Sequence, residues 1–141
     1  MAQLKKAVLD TSVIIAGLLS SSGGSAKIIE ACKNGTLQCA VSSSTKDEIG
    51  RNAEKLGSLV VEKFNALAAS LHTIYPTAEL VDAFTEFTDP DDTHLLASCK
   101  TWNAEYLISL NRKHLLKNQK AQTATHARIV SPGDLIQSVS L

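Results

Sequence analysis

Aromatic side chains are scarce in this chain: one tryptophan, two tyrosines and three phenylalanines in 141 residues are too few for a surface that holds nucleic-acid bases mainly by stacking. Cysteine is scarce as well. Cys32, Cys39 and Cys99 are odd in number, widely spaced and set among apolar residues. Metal-ligand spacing is absent, so neither a zinc site nor a disulfide is expected, and all three read as buried free thiols in a reducing compartment. No apolar run approaches the roughly 18 to 20 residues needed to span a bilayer. The longest, Val13 to Leu19, is interrupted by Gly17 and followed by serines. The opening Met-Ala-Gln-Leu-Lys-Lys enters a strand-like stretch ending in an aspartate where an export signal would have a small-residue cleavage site. Neither export nor membrane insertion is indicated, and a cytoplasmic location is expected.

Internal repeats and linkers are also missing, so residues 1–141 are read as one domain, long enough to bury a core without staples. An apolar fraction of 44% with 20% charged residues lies in the globular range and argues against disorder. The net charge of +0 conceals an uneven distribution. From Glu79 to Asp92 there are six acids (Glu79, Asp82, Glu86, Asp89, Asp91 and Asp92) and no base. From Lys100 to Gly133 the pattern reverses: Lys100, Arg112, Lys113, Lys117, Lys120 and Arg128 stand against Glu105 alone. Such polarity suits an acidic metal site beside a basic phosphate-binding rim, and equally two solvated faces of opposite sign.

Hydrophobic periodicity predicts alternating strands and helices. Lys5 to Asp10 reads as a short buried strand ending in a carboxylate, followed by a helix over 12–20. Ser25 is placed as the cap of a second helix that stops at Asn34-Gly35, and Leu37 to Val41 as the next strand. Ser44-Thr45-Lys46-Asp47 has capping-box spacing, so a helix carrying Glu48 should start there. After a break near Gly57 comes a helix over 58–70, with Leu59, Phe64, Leu67 and Leu71 as its buried stripe. Further strands are expected over 71–75, 104–109 and 128–131. Asp89-Pro90 is a helix start with Asp89 as cap, and a terminal helix is expected over 134–139. This alternation implies an α/β fold with a mostly parallel sheet covered on both faces.

Ligands bind such a sheet at the carboxyl ends of its strands. Asp10 ends the first strand and should project there, unless it merely caps the following helix. Asp92 is followed at helical spacing by Leu95, Leu96 and Cys99, so its carboxylate should point inward, where an unpaired acid is costly. Asp91 lies one residue round, toward His94 and Ser98 on a wetter face, and reads as a supporting charge. Asn111 follows the strand over 104–109 and can reach the same edge, or can simply serve a turn. Glu48 joins the acids only if the fold brings its helix in. Converging carboxylates select hard cations such as Mg²⁺ or Mn²⁺, and the chemistry such an ion supplies is activation of water for attack on a phosphodiester. No serine sits in a nucleophile elbow, so no covalent mechanism competes.

With these residues in view the chain resembles a PIN domain, the metal-dependent ribonuclease fold used by VapC-type toxins of bacterial and archaeal toxin-antitoxin pairs. The resemblance lies in Ala7-Val8-Leu9-Asp10-Thr11-Ser12, in Asp89-Pro90-Asp91-Asp92 with Leu95-Leu96-Ala97, in Leu107-Ile108-Ser109-Leu110-Asn111, and in the ending Ile129 to Leu135. It implies a three-layer α/β/α sandwich around a sheet of four to five mostly parallel strands. The same resemblance assigns Asp10, Glu48 and Asp92 as catalytic and metal-binding acids, Asn111 as a fourth metal position, and Ser12 as the small polar residue beside the first acid. Many members carry aspartate where this chain has Asn111, a departure that bears on a second ion and on activity. The resemblance further implies RNA as substrate, a homodimer and a separately encoded antitoxin, with Arg112, Lys113 and Lys117 available for phosphate contacts.

Two other readings remain. The same fold with weakened or absent catalysis would bind RNA or protein without cutting. A receiver-like signalling domain also gathers acids at a sheet edge, but it needs a phosphoacceptor aspartate after a middle strand and a late lysine, which Val41-Ser42-Ser43 and Ser131-Pro132 do not supply.

Overall fold

The computed structural model describes residues 4–141. Five strands, β1 (Lys6–Leu9), β2 (Gln38–Ser42), β3 (Leu71–Ile74), β4 (Tyr106–Ile108) and β5 (Arg128–Val130), form one sheet in the order β3-β2-β1-β4-β5. Every pairing is parallel. β1, whose Ala7, Val8 and Leu9 are fully buried, is central, as an element buried on both faces must be.

The period of two along each strand divides the interior into two cores. Ala7, Leu9, Cys39, Val41, Tyr106, Ile108 and Val130 face one core. It is closed by α1 (Thr11–Leu19), α2 (Gly24–Asn34), α5 (Ser58–Ala68) and α9 (Pro132–Ser138). Val8, Ala40, Leu107 and Ile129 face the other, beneath α7 (Thr93–Trp102) and α8 (Gln119–Thr125). The result is the expected α/β/α layering around a parallel sheet. No helix among the described residues is by itself long and apolar enough to cross a membrane.

Gly17 permits a close contact in the first core. A Cβ at this position would stand 2.5 Å from Cγ1 of Ile29 and 2.9 Å from the carbonyl oxygen of Ser25, so only glycine lets α1 and α2 meet as they do. The same face explains a departure from expectation. Cys39 points toward α2 from β2, and Cys32 lies in the last turns of α2, which puts their Cα atoms 5.7 Å apart and joins them as a disulfide. Cys99 alone is a buried free thiol.

Several boundaries shift for local reasons. Gly23, with φ 98°, precedes α2 as its N-cap, so Ser25 lies inside the helix. α3 (Ser43–Arg51) is capped by Ser42, whose hydroxyl accepts from the Thr45 N–H, and the box at Ser44 is not used. Gly57, at φ 90°, separates α4 (Ala53–Leu56) from α5 and resets the helical phase: Val60, Phe64 and Leu67 are buried while Leu59 is exposed. Leu71 belongs to β3. Two helices had no counterpart in the periodicity, α6 (Ala78–Ala83) and α8.

Candidate functional site

The chain steps from β1 through β2 to the edge strand β3, then crosses back to β4 and β5, so strand order reverses between β1 and β4. An open parallel sheet receives ligands at the carboxyl end of that junction. Here a cleft of about 880 Å³ opens, and Asp10, Glu48, Asp91, Asp92 and Asn111 all line it.

Asp10 is delivered by a strand that enters a helix with no intervening loop. Leu9 ends β1, Asp10 is the N-cap position, and Thr11 begins α1. The Asp10 side chain makes no capping hydrogen bond, which removes the reading of it as a helix cap. Its carboxylate, 9% exposed, accepts from the hydroxyls of Ser109 at 2.7 Å and Ser12 at 3.1 Å. Ser109 reaches it by register: Leu9 pairs with Ile108, so the next residues of β1 and β4 emerge side by side. The two hydroxyls also accept backbone N–H groups, Ser12 from Leu110 at 3.3 Å and Ser109 from Asn111 at 2.9 Å, which stitches the strand ends together.

Glu48 comes from the second turn of α3 and is half-buried. The Thr11 hydroxyl donates to its carboxylate at 2.9 Å, linking it to the residue beside Asp10. Asp92 ends the 3-10 turn Pro90–Asp92, whose cap is Asp89: the Asp89 carboxylate accepts from the Asp91 N–H at 3.0 Å. Burial, then the charges of Asp10 and Asp89, push the Asp92 carboxyl up to about 6 from 3.8, against a small downward pull from His114. Asp91 is exposed at the cleft margin and adds to that repulsion.

Asn111 is committed at both ends of its amide. Its Nδ2 donates to Asp92 at 3.1 Å and its Oδ1 accepts from the His114 N–H at 3.1 Å, so it steadies Asp92 with its oxygen turned away from the acids. Arg112, Lys113 and Lys117 are exposed on the segment after Asn111 and do not line the cleft.

Four residues of the site carried no reading as site residues in the sequence. Ser109 and Thr11 hold the carboxylates described above. Arg51, in the last turn of α3, is the basic residue among those lining the cleft, and among the described residues it forms no salt bridge. His94 was expected on a wet face with Ser98. Instead Ser98 is fully buried, and His94, half-buried at the cleft, has its Nδ1 2.6 Å from the Ser42 hydroxyl. Burial lowers its pKa, against opposing pulls from Asp10 and Glu48. Only the signal that α7 packs across β2, which needs the fold, could have found it.

No group of three or more His, Cys, Asp or Glu side chains among the described residues is placed to hold a metal ion together. A caged zinc-type site therefore does not fit. A hydrated hard cation does fit, because such an ion is commonly held through one or two carboxylates while keeping several waters. The charge of Asp10 raises the cost of ionising Asp92 across the cleft, and the donors on offer are oxygens.

Two solved structures share the fold over most of their length. One, from a toxin-antitoxin complex of Klebsiella pneumoniae, is 24% identical with a TM-score of 0.64, over 89% of this chain and 97% of that one. The other, from VapBC2 of Rickettsia felis bound to a DNA fragment from their promoter, is 16% identical with a TM-score of 0.61, over 89% and 98%. No curated protein matches the sequence. The family model of the PIN domain matches residues 6–113, from the first residue of β1 to just past Asn111, and on that match the chain belongs to the PIN domain family.

Proposed function

We propose that this chain is a divalent-metal-dependent endoribonuclease that hydrolyses RNA phosphodiester bonds, serving as the toxin of a toxin-antitoxin pair. The observation that carries the reading is the convergence of Asp10, Glu48 and Asp92, from three distant parts of the chain, on one cleft at the strand-order reversal. One or two of these acids would hold a hydrated Mg²⁺ or Mn²⁺ directly and the others through its waters, and the ion would supply activation of water and relief of the negative charge that grows on the phosphate.

The protein's own part is preorganisation. Asp10 is oriented by Ser12 and Ser109, Glu48 by Thr11, and Asp92 by Asn111, so each carboxylate keeps lone pairs free toward the cleft. Above about pH 6 Asp92 is expected to be ionised and competent to bind a cation. Arg51 meets the scissile region's phosphate from the α3 side, while Arg112, Lys113 and Lys117 contact phosphates farther along the strand. In this reading the chain acts in the cytoplasm as a homodimer and is restrained by a separate antitoxin; the two toxin-antitoxin assemblies that share its fold support the antitoxin.

One observation favours the alternative of an RNA-binding domain with little catalysis: Asn111 brings no charge, and its oxygen is occupied by the His114 N–H. Incubating the purified chain with total RNA, with and without Mn²⁺, separates the two. Cleavage is expected with Mn²⁺ and is expected to fall by about a thousandfold in Asp10→Asn. RNA retained on the protein but left intact at every Mn²⁺ concentration would establish the alternative.

A further inference from the structure

The Ser42 hydroxyl sits between two of the acid-bearing elements. It is fully buried at the carboxyl end of β2, where it accepts from the Thr45 N–H at 3.0 Å and so fixes the start of α3, the helix that carries Glu48. It donates to Thr45 Oγ1 at 3.1 Å and shares a 2.6 Å hydrogen bond with His94 Nδ1. His94 lies in the first turn of α7, two residues beyond Asp92, and its ring lines the cleft. One hydroxyl thus ties the frame of the second acid to the frame of the third, although their elements are separated by β3, α4, α5 and α6 in the chain.

We propose that Ser42 and His94 form a clasp and that His94 is a positioning residue, holding α7 against the β2–α3 junction so that Glu48 and Asp92 keep their places in the lining of the cation-binding cleft. Like charges facing one another across a cleft drive their supports apart when no cation is present. A short hydrogen bond between the fully buried Ser42 hydroxyl and the half-buried His94 ring resists that, because breaking it removes one of the three partners of a hydroxyl that lies out of reach of water. Neither residue donates an oxygen to the ion; both act by preorganising groups that do. The inference rests on the ribonuclease reading above, since it assigns the carboxylates to a cation.

The test is calorimetric titration of the full chain with MnCl₂ in the absence of RNA, joined to kcat and KM on an RNA oligonucleotide at saturating Mn²⁺. His94→Phe keeps a ring of similar bulk and removes the hydrogen bond. It is expected to bind Mn²⁺ about tenfold more weakly, the effect of losing an orienting partner, and to lower kcat with KM for RNA unchanged. His94→Asn, whose amide reaches the place of Nδ1, is expected to regain most of the affinity. His94→Gln carries its amide to the place of Nε2, breaks the clasp without a ring, and serves should the Phe variant not fold. Parental Mn²⁺ affinity in both clasp-breaking variants, or no recovery in His94→Asn, overturns the inference. Failure of the ribonuclease reading looks different: the parent chain would bind Mn²⁺ no better than Asp10→Asn, and the clasp proposal would fall with it.

Discussion

Helix α1 belongs to two regions built on opposite rules. Its first turn lies in the cleft, where Thr11 and Ser12 hydrogen-bond to the carboxylates of Glu48 and Asp10, the latter repelling that of Asp92. Two turns later, at Gly17, it meets α2 in a dry contact with no room for a methyl group. In the cleft, charge is concentrated against the interest of the metal-free fold; at the α1–α2 contact, every atom contributes to packing. The contrast teaches where tolerance lies: removing charge should relieve the first region and abolish its chemistry, while any addition to the second should unsettle the fold without touching the acids.

The sharpest way to break that division is Asp10→Asn. It is expected to slow RNA cleavage by about a thousandfold, the equivalent of roughly 4 kcal/mol of barrier, while the circular dichroism spectrum stays parental. Cleavage at the parental rate would show that the chemistry lies elsewhere. Next in size, Gly17→Ala should destabilise the chain by about 1–3 kcal/mol in urea unfolding, through overpacking against Ile29 and Ser25. An unmoved urea midpoint would mean that α1 and α2 separate freely and that the contact is not tight.

A smaller effect of opposite sign is expected from Asp92→Asn in metal-free buffer. The Asp92 carboxyl titrates at about 6 in the fold against 3.8 as reference, so between those values the folded state binds the extra proton. The parent therefore loses stability as pH rises from about 4 to about 6, and the penalty is complete above that. At pH 7.5 Asp92→Asn should gain on the order of 1 kcal/mol, well below the full value of the shift because Asp92 is half exposed to screening solvent. The gain should disappear near pH 4, and an equal gain at both pH values would refute the electrostatic cause. The smallest change is expected from Arg51→Ala: a KM for RNA raised a few-fold at constant kcat, and a log–log salt dependence of binding shallower by about 1. An unchanged salt slope would remove Arg51 from the RNA path.

Much of this division is legible in the sequence, and the parts that are not have physical reasons. Asp10 can be read because β1 is a clean apolar run with an acid at its end, and Asp89-Pro90 because proline and a capping acid leave few alternatives. Helix α8 escapes because its buried residues are Ala121 and Thr125, too small to make a hydrophobic stripe. Helix α6 escapes because it has no buried residue at all. The cap of α3 is ambiguous among Ser42, Ser43 and Ser44, and only the packing of β2 selects the first. The Cys32–Cys39 bond needs the faces of two elements at once, and periodicity supplies each face without the angle between them. Glu48 and His94 share that difficulty: their roles depend on which strand their helices cross, a long-range fact. For Asn111 the position is legible but the direction of its amide is not, since that is decided by the His114 N–H.

The absence of any loop between β1 and α1 carries a last consequence. Asp10 is mounted on the middle strand, with its own N–H donating to the Ile108 carbonyl at 3.0 Å, so the ladder continues into the acid itself. Amides of this kind open to solvent only when the whole sheet comes apart, whereas loop-borne sites exchange through local fraying. Deuterium should therefore enter Asp10 among the slowest positions of the chain, and warming should extinguish activity in step with global melting, with no earlier loss.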